Sequence, residues 1–185
     1  MNREEILAAL KELSRNLEAK GLKGDIYLVG GAALVVAYDA KRQTRDVDAV
    51  FAPKTEVRKA AEEVAKLRGL KDDWINDAVK NYVPGKKDVN ASIVLDEPGL
   101  RVMAAAAEPL LAMKLLAARR EDEADIRFLC DYLKIKSADD AIAVLTKYYS
   151  DKVILPKSKF MIEEMFETRE KEKSPGKTRG DGGSF

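Results

Sequence analysis

Asp46 and Asp48 stand two residues apart in the apolar run DVDAVFA, residues 46–52. Alternate residues of a strand project to one side, which puts the two carboxylates on one face, about 6.6 Å apart along the chain. Val47, Ala49 and Phe51 then turn to the core. Two like charges side by side repel, and each is expensive to bury unpaired. A divalent cation between them removes both difficulties. Mg2+ takes oxygen ligands and keeps substrate phosphates in its shell. A pair of such ions about 3.5–4 Å apart activates an attacking hydroxyl and steadies a leaving pyrophosphate. The plainer alternative is a strand end with two solvated acids near Lys41, Arg42 and Arg45.

Fifteen residues before Asp46, the pair Gly30–Gly31 separates the β-prone run DIYLV (25–29) from AALVVAYDA (32–40), which reads as a helix. A turn without Cβ atoms exposes its N–H groups, and the following helix adds its positive end, a combination suited to a phosphate. A tight turn needing small residues explains the same pair without a ligand. Lys114 lies in the otherwise apolar stretch LLAMKLL, and lysine is rarely buried without a partner. Positions 114, 118, 122 and 125 share one helical stripe. In a straight helix Lys114 and Asp125 are about 16 Å apart. A break near Arg120–Glu121 lets Asp122 cap a new helix with Asp125 in its first turn, so that the pair converges. The alternative is that Lys114 reaches out to water while Asp122 only caps.

The elements that must position these residues follow from periodicity. Ile6, Leu7, Leu10, Leu13 and Leu17 repeat at helical spacing over residues 3–20. Strands are expected at 25–29 and 46–52, the second stopped by Pro53, with KRQT as a polar loop between helix and strand. A helix is expected over 55–70 and a short one over 72–82, around Trp74, Ile75, Ala78 and Val79. The run ASIVLDEPGLRVMAAA (91–106) reads as a hairpin about the E-P-G turn. From Pro109 the chain is helical, broken near Glu121, at 135–137 and at 150–156. The expected fold class is α+β, a small mixed sheet with a helical C-terminal half. The expected organisation is a core over 1–106, a helical part over 107–168 packed on it, and a polar Gly/Lys-rich tail over 169–185 without fixed structure.

Composition narrows the chemistry. The 185 residues contain no histidine, which excludes a Ser-His-Asp triad, histidine-ligated zinc and histidine bases together. Lys and Arg number 33 against 32 Asp and Glu, so only a local patch would attract nucleic acid. Cys130, the one cysteine, sits in the apolar context IRFLCDYL and reads as a buried thiol. No apolar run reaches membrane-spanning length and no signal peptide is apparent, which makes the cytoplasm the expected location.

Taken together, these features resemble the nucleotidyltransferase fold, whose signature is a hydrophobic residue, G-G or G-S, a gap, and D-h-D or D-h-E. Here it is Val29, Gly30, Gly31, fourteen residues, then Asp46, Val47, Asp48, a gap at the long end for the superfamily. Within it the chain is most similar to the toxin-like bacterial members, AbiEii-type abortive-infection proteins and related tRNA-modifying toxins. Those place a hydroxyl residue two before the first Asp, where Thr44 stands. They also carry a helical Lys, Arg and Asp, matched by Lys114, Arg119 or Arg120, Asp122 and Asp125. The likeness covers about residues 25–165.

The resemblance implies that Asp46 and Asp48 bind Mg2+, that Gly30 and Gly31 cradle phosphates, and that Thr44, Arg45, Lys114, Arg119 and Asp125 contact the nucleotide. It implies transfer of a nucleoside monophosphate from an NTP to an acceptor hydroxyl, with the tRNA 3′ end as acceptor and a cognate antitoxin as partner. One departure stands out. Many members carry a third carboxylate on a later strand, and LRVMAAA has none; Asp88, Asp96, Glu97 and Asp125 are the substitutes at hand. That keeps two alternatives open: an inactive nucleotide- or protein-binding relative, and a transferase acting on a small molecule or a protein hydroxyl.

Overall fold

The computed structural model describes residues 1–38 and 43–173, with residues 170–173 described by their backbone alone. Lys41, Arg42, the end of the helix expected over 32–40 and the tail beyond residue 173 lie outside the described residues. Seven helices and a five-stranded mixed sheet are present among those described, an α+β fold.

Strand β1 (Gly24–Leu28) is the middle of the sheet. On one side it pairs antiparallel with β2 (Val47–Ala52), Leu28 opposite Ala49 and Asp25 opposite Ala52. On the other it runs parallel to β5 (Leu100–Ala104), which forms the expected hairpin with β4 (Ser92–Glu97). Ile26, Leu28, Val47, Ala49, Leu100, Val102 and Ala104 are all nearly or fully buried, the signature of a strand core covered by helices.

Helix α1 (Arg3–Ala19) opens with a capping box in which Asn2 Oδ1 accepts from the Glu5 N–H and Glu5 Oε2 accepts from the Asn2 N–H. It buries Ile6, Leu10, Leu13 and Leu17. Its backbone comes so close to the β4–β5 turn that a Cβ on Gly99 would stand 2.1 Å from the Ser14 carbonyl oxygen. Helix α2 (Gly30–Ala37) follows β1 after one residue, and α3 (Lys54–Arg68) follows β2. Beyond the hairpin, α4 (Ala107–Ala117), α5 (Glu123–Leu133), α6 (Ala138–Tyr148) and α7 (Pro156–Lys173) pack on one another, and α4 also contacts α2. No described helix is long and apolar enough to cross a membrane.

The helix expected over 72–82 is a correction. Ile75–Asn76 form a two-residue strand, β3, parallel to β2, and only 78–81 turn as a 3₁₀ helix. Trp74 explains the difference. Its indole N–H donates to the Ala61 carbonyl at 3.0 Å and its own carbonyl accepts from the Val47 N–H at 2.7 Å, so the chain is held extended beside β2. The helical break also falls earlier than expected, at Ala118, a residue with φ 47° that ends α4.

Candidate active site

The antiparallel pairing of β1 with β2 sets the start of β2 against the end of β1. The Val29 N–H donates to the Asp48 carbonyl at 2.9 Å, so the turn into α2 and the D-x-D are bonded neighbours. Gly30 has φ +59°, a left-handed conformation, and a Cβ there would lie 3.0 Å from Asp48 Oδ2. Two constraints therefore require glycine: the backbone region, which strains L side chains, and the carboxylate in the space a side chain would fill. Val29, the N-cap of α2, contributes no side-chain acceptor, which leaves the first-turn N–H groups of this helix without a side-chain cap.

Asp46 lies just before β2, not within it. Val47 and Ala49 are fully buried on the core side, while Asp46 and Asp48 both line a cleft of about 620 Å³ together with Gly30 and Gly31. Asn76, opposite Asp48 in the β2–β3 ladder, donates from Nδ2 to Asp46 Oδ2 at 3.2 Å. Burial raises the pKa of Asp48 above its ordinary value, and the Asp46 charge raises it further. Asn76, Arg119 and Lys114 pull in the opposite direction without cancelling the shift. The pair is thus electrostatically strained in the direction that a cation relieves.

Thr44 and Arg45 line the same cleft. The Thr44 hydroxyl donates to the Asp46 carbonyl at 3.0 Å, and its N–H donates to the Met1 carbonyl at 2.9 Å, which holds the approach to the D-x-D against the start of α1. Lys114 lines the same cleft, 8% exposed. The break at Ala118 folds the chain back so that Lys114 Nζ lies 2.6 Å from Asp122 Oδ1 and 2.7 Å from Asp125 Oδ2. Convergence of Lys114 and Asp125 thus matches the expectation. Asp122 occupies the N-cap position of α5 without making a side-chain cap bond; its carboxylate is directed to the lysine instead. Two acids fix one ammonium at the cleft wall with little rotational freedom.

Arg119 lines the cleft. Arg120, the other candidate, faces a separate hollow beside α7 with Phe160 and Met161. Asp125, 3% exposed, sits behind Lys114 and is not part of the lining. Of the substitutes for a third strand carboxylate, Asp88 accepts from the Tyr27 hydroxyl and the Ala106 N–H, both at 2.8 Å, and so ties the loop before β4 to the start of α4. Asp96 pairs with Arg101 on the exposed hairpin, and Glu97 ends β4. None of these three lines the cleft. Glu121 does, as do Gln43, Val79 and Tyr82, none of which a local motif marks. Asn76 was equally hidden, because its contact with Asp46 depends on a strand too short to show a period.

The donor set fits Mg2+. Two carboxylates, an uncapped helix start beside them and a fixed ammonium in the same cleft suit a cation sharing its shell with phosphate oxygens. No group of three or more His, Cys, Asp or Glu side chains able to hold a metal occurs among the described residues, so such an ion would draw its remaining ligands from substrate and water.

A cleft built at the join of a G-G turn and a D-x-D strand, on a mixed sheet with a helical C-terminal half, has the form of a nucleotidyltransferase site. The chain belongs to the family described as nucleotidyltransferase of unknown function (DUF6036), whose model matches residues 5–155. No curated protein and no solved structure matches it significantly.

Proposed function

We propose that the cleft binds an NTP with Mg2+ and transfers its nucleoside monophosphate to an acceptor hydroxyl. The acceptor hydroxyl gives up its proton to solvent water as its oxygen forms a bond to the α-phosphorus, the bond from that phosphorus to the β-bridging oxygen breaks, and pyrophosphate leaves with the electron pair. The observation that supports this most is the contact of Gly30 with Asp48, which sets an uncapped helix start beside a carboxylate pair. Asp46 and Asp48 would hold Mg2+, which when bound neutralises phosphate charge and acidifies the acceptor hydroxyl. The first-turn N–H groups of α2 receive phosphate oxygens. Lys114, held by Asp122 and Asp125, faces the leaving phosphates as a positioned charge. Arg119 and Arg45 add positive charge to the cleft lining. Asn76 keeps Asp46 turned toward the cleft.

The likeness to AbiEii-type and tRNA-modifying toxin-like proteins supports the 3′ end of tRNA as acceptor and a cognate antitoxin as partner. Incubation with α-labelled NTPs, Mg2+ and total RNA should label RNA, and Asp46→Ala/Asp48→Ala should abolish the label. Equal transfer by the double variant would sink the assignment. The lack of a third strand carboxylate favours a second reading, a binding module without turnover; nucleotide binding with no pyrophosphate release from any acceptor would put it first.

A further inference from the structure

Two helices begin at the cleft and end together at a cluster of aromatic rings. Helix α2 starts at Gly30 and is C-capped by Tyr38; α5 starts directly after Asp122 and carries Tyr132 in its last turn. The rings of Tyr38 and Tyr132 meet edge to face with centroids 5.2 Å apart, and Phe128 stacks on Tyr132 at 6.3 Å. Ala124, Phe128 and Tyr132 follow at steps of four and are all exposed, so one stripe of α5 runs from just after Asp122, which lines the cleft, to the rings. Tyr132 is 59% exposed and Phe128 36%, far more than a core role requires. The exposed large apolar side chains of α5 are these two rings, with no aliphatic one among them, which suits a stacking surface better than a protein interface.

The charges agree with that reading. The acids of α5 are each engaged: Glu123 with Arg127, Asp125 with Lys114, and Asp131 with Arg169. Cations stand at both ends, Arg119 at the cleft and Lys134 and Lys136 beyond Tyr132. The seven residues from Asp122 to Phe128 span about 10 Å at 1.5 Å per residue. That is the length of about three nucleotides stacked at 3.4 Å.

We propose that Phe128 and Tyr132, backed by Tyr38, whose hydroxyl is anchored on the Ala105 carbonyl, form an acceptor subsite that stacks the unpaired bases of a single-stranded polynucleotide whose terminal hydroxyl enters the cleft. The proposal rests on the reading of the cleft as a nucleotidyl-transfer site. Every base has a π-face, so the strip takes unpaired ends with little regard to sequence, while in a duplex successive bases stay stacked on one another and only the outer face of the last pair is free.

The test uses the full chain, a fluorescent twelve-nucleotide single strand with a free 3′ hydroxyl in ribo and deoxy forms, a duplex of equal length, and a fluorescent NTP analogue with Mg2+. Wild type should bind either single strand at least tenfold more tightly than the duplex. Phe128→Ala/Tyr132→Ala should weaken single-strand binding by roughly tenfold or more, with a cooperative melt and unchanged NTP affinity, and Tyr132→Phe should retain binding. Equal binding of single strand and duplex, or a double variant that binds as wild type, overturns the subsite. A wild-type dimer that the double variant turns to monomer, with no single-strand binding, overturns it in favour of a second copy of the chain. Failure of wild type to bind the NTP analogue is a separate result and strikes the reading of the cleft itself.

Discussion

Asp48→Asn should make the metal-free protein more stable while removing its response to Mg2+. Asp48 is partly buried at the cleft wall, its Oδ2 3.0 Å from where a Cβ on Gly30 would stand, and it feels the charge of Asp46. Two unit charges about 6.6 Å apart repel by about 0.6 kcal/mol under water-like screening and about 2.5 kcal/mol under the screening typical of a protein surface. Asn76, Lys114 and Arg119 offset part of this, which leaves about 1 kcal/mol to be gained by neutralisation and a rise in thermal midpoint of about 2–4 °C. The raised pKa of Asp48 sets the sign with pH. Between the ordinary value of 3.8 and its higher value in the fold, Asp48 holds more proton in the native state than in the unfolded one. Wild-type stability therefore contains a component present below that window and lost as pH rises through it. The variant lacks that component. Thermal melts in EDTA and in millimolar MgCl2, at several pH values, give all three readouts. Mg2+ at a hundred times its dissociation constant stabilises by about 2.7 kcal/mol, and the variant should lose most of this. A variant less stable than wild type in EDTA, or one with the full Mg2+ response, would refute the picture of two carboxylates strained for a cation.

Lys114→Met removes the cation that the buried Asp125 faces and should cost about 3–5 kcal/mol, a loss that acid reduces by protonating the carboxylate; Lys114→Met/Asp125→Asn should recover much of it in denaturant titrations while remaining unable to support transfer. Gly30→Ala places a Cβ against Asp48 Oδ2 in a left-handed backbone; a destabilisation of about 1–2 kcal/mol is expected, with a larger proportional loss of nucleotide affinity measured by fluorescence titration. Gly99→Ala sets a methyl group 2.1 Å from the Ser14 carbonyl and must push α1 off the hairpin, so its denaturation midpoint should fall by the equivalent of about 1–3 kcal/mol, with nucleotide affinity retained in the fraction that remains folded.

Local pattern determined a large part of this protein. The alternation in DVDAVFA places Val47 and Ala49 inward and leaves the acids the other side, because a strand's period is two whatever lies beside it. The E-P-G turn makes the β4–β5 hairpin for an equally local reason. The α4–α5 break that brings Lys114 to Asp125 is legible near Arg120–Glu121, two to three residues past its place at Ala118. Beyond such ranges the sequence was silent or misleading. Trp74, Ile75, Ala78 and Val79 keep helical spacing, yet the ladder with Val47 and the indole bond to Ala61 hold that segment extended. Competition between a weak local preference and long-range hydrogen bonds is settled only when the partner strand is present. The same holds for the cleft. Asp88 looked like a spare carboxylate and is a fastening between Tyr27 and Ala106, whereas Glu121, Tyr82 and Gln43 carried no signal and meet at the site. The order β3-β2-β1-β5-β4 decides which strand ends adjoin. A residue's chemical type is written in the chain, but its neighbours across tens of residues are chosen by how the helices and sheet bury their apolar faces together.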